Sequence, residues 1–297
     1  MRTLLHFSDV HVSAGLANIP LKDCLGKRVV GAANLLLRRS RAFARAPEKL
    51  AALTRFSADQ GVDSIICTGD YTALGTDAEF ASSRELIQGL IDSVPCFATV
   101  PGNHDLYVPD TVREQRFEKH YGELLTTDRA GWCVDGPWPS VRFLGDDLAL
   151  VGVNSARPNP SIFRSSGRIP ETQIAALEDV LRQPELDGRW VFVFTHYGPL
   201  TGRGLPDSHH HGLENYEELL RVTGSRPRTA VLHGHIHHGY HLAAEPGRPW
   251  LFCAGSATYE SHEALWMFRV GDGEVEAVPG VFTDAGYQLQ ESASVRL

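Results

Sequence analysis

Short apolar runs alternate with amphipathic stretches along most of this chain. The apolar runs predict strands at residues 4–7, 62–67, 96–100, 148–153, 191–194, 230–232, 250–253, 265–270 and 274–278. Between them, apolar residues recur at helical spacing, as at Leu50, Leu53 and Phe56. Thr76 followed by Glu79 predicts a capping box at the start of another helix. Strands that alternate with helices, followed by several closing strands, predict an α/β protein with mixed sheets.

Polar side chains follow most of the predicted strands at the point where each strand ends. These residues are Asp9, His11, Asp70, Asn103, His104, Asp105, His196, His235 and His237. Reactive side chains in open α/β sheets usually lie at the carboxyl ends of the strands. Because alternate strand residues point to the same side, we expect Asp9 and His11 to face one site together, and we apply the same argument to His235 and His237.

Carboxylate, amide and imidazole groups in this number indicate a metal site. Mixed oxygen and nitrogen ligands favour manganese or iron, with zinc as an alternative, over calcium or magnesium. Two such ions about 3.5–4 Å apart can clamp a phosphoryl group and generate a bridging hydroxide. The pair needs a shared anionic ligand, and Asp70 is the natural candidate because Gly69 allows a sharp turn before it.

The order Asp-x-His, Gly-Asp, Gly-Asn-His-Asp, His and Gly-His-x-His resembles that of the calcineurin-like metallophosphoesterases, and the resemblance spans residues 3–258. It implies a four-layer α/β/β/α sandwich of two mixed sheets flanked by helices, which we expect to form one domain over 1–297. It also implies the ligands of two ions. The first ion is assigned Asp9, His11, Asp70 and His237, and the second Asp70, Asn103, His196 and His235.

The same resemblance implies the catalytic groups. Asn103 and His104 are expected to contact the substrate phosphate, with His104 protonating the leaving oxygen and Asp105 orienting the His104 ring. Arg157, which follows a strand end, is a further candidate for phosphate binding. The cluster His209, His210 and His211 could reach the mouth of the site, but a solvated loop is the favoured interpretation.

Two differences from the motifs of related phosphatases narrow the choice of subfamily that this chain resembles. Purple acid phosphatases place a metal-binding tyrosine three residues after the shared aspartate, where this chain has Ala73. The arginines that follow the same blocks in serine/threonine phosphatases are also missing. The chain looks similar to class III cyclic-nucleotide phosphodiesterases and to hydrolases of UDP-diacylglucosamine. We therefore expect a phosphodiesterase of the cyclic-nucleotide type, with a pyrophosphatase acting on a lipid-linked nucleotide as the alternative.

One segment bears on that alternative, a predicted basic amphipathic helical insertion at about 20–46. Residues 26–46 contain six basic residues and no acidic one, which leaves 22 basic against 36 acidic residues in the rest of the chain. As a helix it would have an apolar face bordered by arginines, a profile typical of peripheral membrane contact. A helix packed on the protein beside the site, with its arginines solvated, is the other interpretation.

Overall charge and cysteine usage limit the remaining function classes. A formal net charge of −8 argues against specific nucleic-acid binding, and a nuclease would need a basic groove. A non-enzymatic scaffold on this fold would have lost metal ligands, and none is lost here. The five cysteines form no C-x-x-C pair, and the first residues show no signal-peptide pattern, so a cytoplasmic protein with a small phosphoester substrate is expected.

Overall fold

The computed structural model describes residues 1–13, 42–159, 161 and 164–297. The strands are β1 (Arg2–Phe7), β2 (Ser64–Cys67), β3 (Cys96–Thr99), β4 (Ser140–Leu144), β5 (Leu148–Gly152), β6 (Trp190–Phe194), β7 (Thr229–His233), β8 (Gly239–Leu242), β9 (Trp250–Ala254), β10 (Ala264–Gly271), β11 (Glu274–Thr283), β12 (Gly286–Leu289) and β13 (Val295–Arg296). The helices of the described residues are α1 (Ala46–Asp59), α2 (Asp77–Leu86), α3 (Gln88–Asp92), α4 (Pro109–Arg113), α5 (Arg116–Tyr121), α6 (Glu171–Leu181) and α7 (Tyr216–Gly224).

The strands form two mixed sheets. The first has the order β12-β11-β10-β1-β2-β3, with β13 paired to β11, and its strands β1, β2 and β3 run parallel. The second has the order β4-β5-β6-β7-β9-β8, with β5, β6, β7 and β9 parallel. In each sheet the carboxyl ends of the parallel strands lie at one edge, so the loops that follow them are brought together.

Three apolar clusters separate the layers. Aromatic side chains fill the space between the sheets, where the ring of Phe268 lies 4.9 Å from that of Phe192 and 5.0 Å from that of Phe252. Helices including α1, α2 and α5 pack on the outer face of the first sheet, and α6 and α7 pack on the outer face of the second. The predicted arrangement of two mixed sheets flanked by helices is therefore confirmed.

All nine predicted strands are present, and the predicted capping box of Thr76 and Glu79 caps α2. Ile87 separates α2 from the short α3 that follows it. The strands that the pattern did not predict are β4, β8, β12 and β13. Three of them, β4, β8 and β12, lie at the edges of their sheets, where one side is open to solvent and the apolar run is interrupted by polar residues.

The predicted insertion lies outside the described residues, except for 42–46. None of the helices in the described part of the chain combines the length and apolar character that a bilayer span requires. Cys67, Cys96 and Cys253 are buried free thiols within strands. The extent of the single domain and the cytoplasmic location stay predictions.

Candidate metal centre

The loops that carry the predicted ligands begin level with one another. Phe7 is in register with Cys67, and Cys67 with Thr99, so the loops after β1, β2 and β3 start at the same height. Their parallel pairing continues past the strands, because Asp9 N–H donates to Gly69 O at 3.0 Å. Residues separated by more than two hundred positions in sequence therefore meet at one edge of the two sheets.

Five of the predicted ligands lie in left-handed backbone conformations. The φ angles are 56° at Asp9, 47° at His11, 58° at Asp70, 71° at His235 and 59° at His237. This corrects the expectation that alternate strand positions aim these side chains, because β1 ends at Phe7 and β7 at His233, before the ligands. The left-handed backbone conformation of these loop residues aims their side chains instead. Such conformations cost free energy at residues other than glycine, and they are typical of functional sites.

Two glycines make the close approach of these loops possible. A Cβ atom on Gly102 would lie 2.0 Å from Asp70 Oδ1, and one on Gly234 would lie 1.9 Å from Ser8 Oγ and 2.4 Å from Asp9 Oδ2. The glycines in the Gly-Asn-His-Asp and Gly-His-x-His blocks are thus required by the space that the aspartate ligands occupy.

The first predicted ligand set is brought together. Ligand atoms of Asp9, His11, Asp70 and His237 all lie within 4.8 Å of one another. His237 Nε2 lies 3.0 Å from both Asp9 Oδ1 and His11 Nε2, and His11 Nε2 lies 3.6 Å from Asp70 Oδ2. Apart from His237, these side chains are almost completely buried.

The second predicted set meets beside the first and shares Asp70 with it. His196 Nε2 lies 3.5 Å from Asp70 Oδ2 and 3.1 Å from Asn103 Oδ1. His235 Nδ1 lies 2.9 Å from the same Asn103 oxygen. Asp70 is therefore placed to bridge two ions, with one carboxylate oxygen facing an imidazole of each set.

Backbone carbonyls determine which nitrogen of each imidazole faces the centre. His196 Nδ1 lies 2.7 Å from Thr68 O, and His235 Nε2 lies 3.0 Å from His211 O. Because a carbonyl only accepts, these nitrogens carry the hydrogen, and the opposite nitrogen of the neutral ring presents a lone pair. In the neutral form that binds an ion, that lone pair would point toward the oxygen of Asn103 in both residues, and a cation between them would stabilise the arrangement.

The donor set fits a pair of transition-metal ions. Bonds of about 2.0–2.2 Å to nitrogen and oxygen place neighbouring ligand atoms roughly 3.0–3.5 Å apart. The contacts between ligand atoms given above for the two sets are similar, at 2.9–3.6 Å. Asp9 Oδ1 is buried and, among the described residues, has no aligned hydrogen-bond donor. A buried carboxylate oxygen in that state costs free energy unless a cation binds it.

Burial and the charges of neighbouring ligands set the pKa values of the aspartate and histidine ligands. Burial opposes ionisation of Asp9 and Asp70, but the adjacent imidazoles hold the pKa of both carboxyl groups well below the ordinary value. Burial lowers the pKa of His235 and His11. Burial acts in the same direction on His196, but the Asp70 carboxylate outweighs it and raises the pKa of His196 to about 9.

His104 lies next to the ligand sets without joining them. Its backbone N–H donates to Asp70 Oδ1 at 2.8 Å, and its ring lies 5.0 Å from that of His11. Its Nδ1 donates to Ala73 O at 2.6 Å, and the ring stacks on Tyr107 at 5.3 Å. With Nδ1 held in this way, Nε2 is the nitrogen that can exchange a proton with a bound substrate.

Asp105 has a different role from the predicted one. Its carboxylate accepts hydrogen bonds from the backbone N–H groups of Gly102, Asp70, Tyr71 and Thr72, at 2.8–3.1 Å. Asp105 therefore shapes the loop that carries Asp70, whereas Ala73 O holds the His104 ring. Burial and the nearby Asp70 charge raise the pKa of Asp105 to about 7, against backbone donors that favour its ionised form.

A clamp on the Asp9 loop was missed by the sequence analysis. Ser256 Oγ donates to Asp9 O at 2.7 Å, and Thr258 Oγ1 donates to Val10 O at 2.6 Å. The fully buried Lys49 ammonium donates to Thr258 O at 3.0 Å. Isolated hydroxyl residues after the last motif carry no pattern that distinguishes them from loop residues, so no sequence signal identified them.

Two further aromatic contacts involve the ligand sets. Phe43, at the end of the predicted insertion, packs with its ring 4.7 Å from that of His11, so the chain leaving the insertion reaches the first ligand set. His211 lies with its ring 4.1 Å from that of His235. The histidine cluster at 209–211 is exposed to solvent, as expected, and it also contacts the site through His211.

Arg157 is not brought to the ligand sets. Its guanidinium pairs with Glu214, and so does that of Arg164, at 2.7 Å. Tyr71, which follows the shared aspartate, directs its hydroxyl to Thr99 Oγ1 at 2.6 Å and packs in the apolar cluster outside the first sheet. The Tyr71 hydroxyl is therefore directed away from the ligand sets.

We expect Asp105→Asn to destabilise both the fold and the centre. The new amide group would face backbone N–H donors, which should lower the free energy of unfolding by about 1–3 kcal/mol and weaken metal affinity by about 10–100-fold. Urea unfolding and calorimetric titration with Mn²⁺ measure the two effects. Asp284→Asn, an exposed substitution in the turn between β11 and β12, is the matched control, and equal behaviour of the two variants would contradict the assigned role.

We also expect metal binding to release a proton from His196. With its pKa raised to about 9, the imidazole is protonated at pH 7 and must lose its proton to bind an ion. Calorimetry at pH 7 in buffers of different ionisation enthalpy should show release of about one proton, falling toward zero above about pH 9, with apparent affinity rising over the same range. The remote His120→Gln should leave the proton count unchanged. A binding enthalpy independent of buffer at pH 7 would exclude this protonation state.

Comparisons with known proteins agree with this geometry. No curated protein sequence matches the chain significantly. A dimetal phosphatase from Danio rerio is 12% identical, with a TM-score of 0.65 over 97% of this chain and 98% of that one. A purple acid phosphatase from yellow lupin (Lupinus luteus) seeds is 10% identical, with a TM-score of 0.63 over 99% of this chain and 53% of that one. At sequence identities this low, the structural similarity establishes the fold alone. The sequence model of the calcineurin-like phosphoesterases matches residues 2–239, and the chain therefore belongs to this family.

Proposed function

We propose that this protein is a dinuclear metal-dependent phosphodiesterase. Family membership and the Asp/His cluster support a metal-dependent phosphoester hydrolase. The observation that carries the finer proposal is the convergence of both ligand sets on shared Asp70, with His104 beside them and outside them. When bound, the ions would supply Lewis-acid charge and a water of lowered pKa.

The protein side chains have separate tasks in this mechanism. Asp70 holds the two half-sites in fixed relation, and the amide of Asn103 orients the phosphate beside the second set. His104, whose Nδ1–H is fixed by Ala73 O, carries a proton on Nε2 and donates it to the leaving oxygen. Burial of the ligand sets excludes bulk water from the reacting centre.

The charged groups around the ligands support a phosphodiester substrate over a phosphomonoester substrate. The positive groups that lower the pKa of Asp70 are imidazoles, with His196 first among them. A monoester dianion places more charge on its oxygens than a diester monoanion, and arginines commonly balance it. In the described part of the chain, the residues that follow Asp70 and Asp105 supply no arginine to the ligand sets. Manganese or iron, with zinc as the alternative, remains our proposal for the ions.

Two substrate classes are compatible with this proposal. The first is a phosphodiester of the cyclic-nucleotide type. The second is the pyrophosphate of a lipid-linked nucleotide such as UDP-diacylglucosamine, reached through peripheral membrane contact by residues 26–46. The packing of Phe43 on His11 supports a role for the end of that segment in bordering the substrate site.

The proposal predicts a defined order of activities. With Mn²⁺, we expect hydrolysis of bis(4-nitrophenyl) phosphate and cyclic AMP, and hydrolysis of 4-nitrophenyl phosphate at least about tenfold slower. Single-stranded DNA and UDP-diacylglucosamine in mixed micelles complete the panel, and Asp70→Asn controls for contaminating phosphatases. A preference for the monoester would overturn the proposal, and activity on the lipid-linked substrate alone would establish the second class.

His104→Asn should separate proton donation from metal binding. We expect kcat to fall about 10²–10⁴-fold for a diester with an alkoxide leaving group, because that oxygen needs a proton, with a much smaller loss for 4-nitrophenolate. Metal content should stay that of the unmodified protein. His120→Asn, remote from the site, is the matched control. Equal losses on both leaving groups would show that His104 does not act as the proton donor.

A further inference from the structure

A fully buried ammonium group holds the loop between β9 and β10. Lys49 lies on the buried face of α1, and its side chain is 0% exposed. Its Nζ donates to Thr258 O at 3.0 Å and to Glu260 Oε2 at 2.7 Å, and it also pairs with Glu263 Oε1. An ammonium has three N–H donors, and these three oxygens can accept all of them. The acceptors all belong to residues 256–263, which we call the β9–β10 loop.

The charges of this network supply direction rather than stability. Lysine is rarely fully buried, and the attraction within a buried ion pair often only offsets the cost of removing both charges from water. Glu263 is 8% exposed, so its carboxylate shares the burial of Lys49, whereas Glu260 is 45% exposed. An apolar contact would fill the same space without fixing an orientation. The ammonium instead binds three particular oxygen atoms and so fixes the path of the β9–β10 loop.

The opposite side of the β9–β10 loop holds the backbone that carries Asp9. Thr258 Oγ1 donates to Val10 O at 2.6 Å, and Ser256 Oγ donates to Asp9 O at 2.7 Å. Because Asp9 has a left-handed φ of 56°, its backbone conformation must be held in place by its neighbours. Thr258 is common to both sides of the loop, since its carbonyl accepts from Lys49 and its hydroxyl donates to Val10.

The imidazoles of the second ligand set have different supports. The carbonyl of Thr68 orients His196, and the carbonyl of His211 orients His235. Neither carbonyl belongs to the β9–β10 loop. The two sets still touch, because His235 N–H donates to Asp9 Oδ2 at 2.9 Å. A change at the buried ammonium should therefore act mainly on the ligands of the first ion, with a small effect on the second.

We propose that Lys49 is a positioning residue for the first metal ion. Its ammonium fixes the β9–β10 loop, and through Thr258 the backbone of Asp9 and Val10, in the conformation that binds the ion. Lys49 acts through this loop and is not itself a ligand. The inference rests on the dinuclear centre of the proposed function, but its test measures metal binding and needs no substrate.

Calorimetric titration with Mn²⁺ tests the inference, and the binding step that is lost in His237→Gln is assigned to the first ion. The double variant Lys49→Met and Glu263→Gln removes both buried charges together, so that neither is left unpaired. We expect its affinity for the first ion to fall about 10–100-fold and that for the second to change less than about threefold. Lys119→Met and Glu118→Gln, both exposed on α5, form the matched control and should leave both affinities unchanged.

Thr258→Val tests the link between the ammonium and the metal ligands. This variant keeps the carbonyl that accepts from Lys49 but removes the hydroxyl bonded to Val10, so it should weaken binding of the first ion by about tenfold. Combined with Lys49→Met and Glu263→Gln, it should weaken that ion no further than the more damaging of the two parents does, because both act on the same contact. Fully additive losses would overturn the route through Thr258.

Equal losses of affinity for both ions in the double variant would indicate general structural damage and overturn the positioning role. An unchanged affinity for the first ion would overturn it as well. Should the double variant not fold, Glu260→Ala removes one acceptor of the ammonium at a half-exposed position. This variant should weaken the first ion alone, by about threefold or more, and no change would overturn the inference.

The same titrations separate this inference from the proposed function. If the affinities change as expected but no phosphodiester is hydrolysed, the proposed function fails and the role of Lys49 stands. If the unmodified protein binds a single Mn²⁺ ion, the dinuclear proposal fails, and an unchanged affinity of that ion in the double variant would overturn the inference too. Absence of any Mn²⁺ binding would overturn both.

Discussion

Repulsion between lone pairs gathered at one largely buried point is the constraint on which this structure depends. Asp9, Asp70 and Asn103 direct oxygen atoms, and His11, His235 and His237 direct ring nitrogens, into a space with ligand spacings of about 3 Å. Without a cation, such a group of acceptors is unfavourable in a desolvated environment. The protein opposes this repulsion with supports placed just behind the ligands. Asp105 fixes the Asp70 loop, and Ser256 fixes the Asp9 loop.

The strain in the ligand loops has the same origin. Five ligands with left-handed φ angles each cost about 1 kcal/mol, and their sum approaches the net stability of about 5–15 kcal/mol that a typical domain retains. The two extended sheets and their three apolar clusters provide the cooperativity that keeps these loops in place. Ion binding would contribute further, because only the folded chain brings the ligands together. Stability and metal binding should therefore be strongly coupled in this protein.

The features of the fold and site that could be predicted are those that leave a simple pattern along the sequence. Strands buried on both faces appear as apolar runs, and the ligands follow them as compact polar motifs. Edge strands such as β4 and β8 lack that pattern because one side meets solvent. The direction of His235 and His237 was explained wrongly, since left-handed φ angles at non-glycine residues have no clear sequence signal. The backbone bonds of Asp105, the clamp of Ser256 and Thr258, and the His211 contact depend on tertiary proximity between distant loops, which spacing along one sequence does not encode.

Protons and metal ions compete for the second ligand set. The Asp70 carboxylate raises the pKa of His196 to about 9, so at neutral pH this imidazole must lose a proton before it can bind an ion. A substrate phosphate held at the ligand sets would depend on the bound ions for most of its electrostatic attraction. Ion occupancy, and with it substrate binding, should therefore rise together between neutral pH and about pH 9, because both are linked to the same imidazole proton.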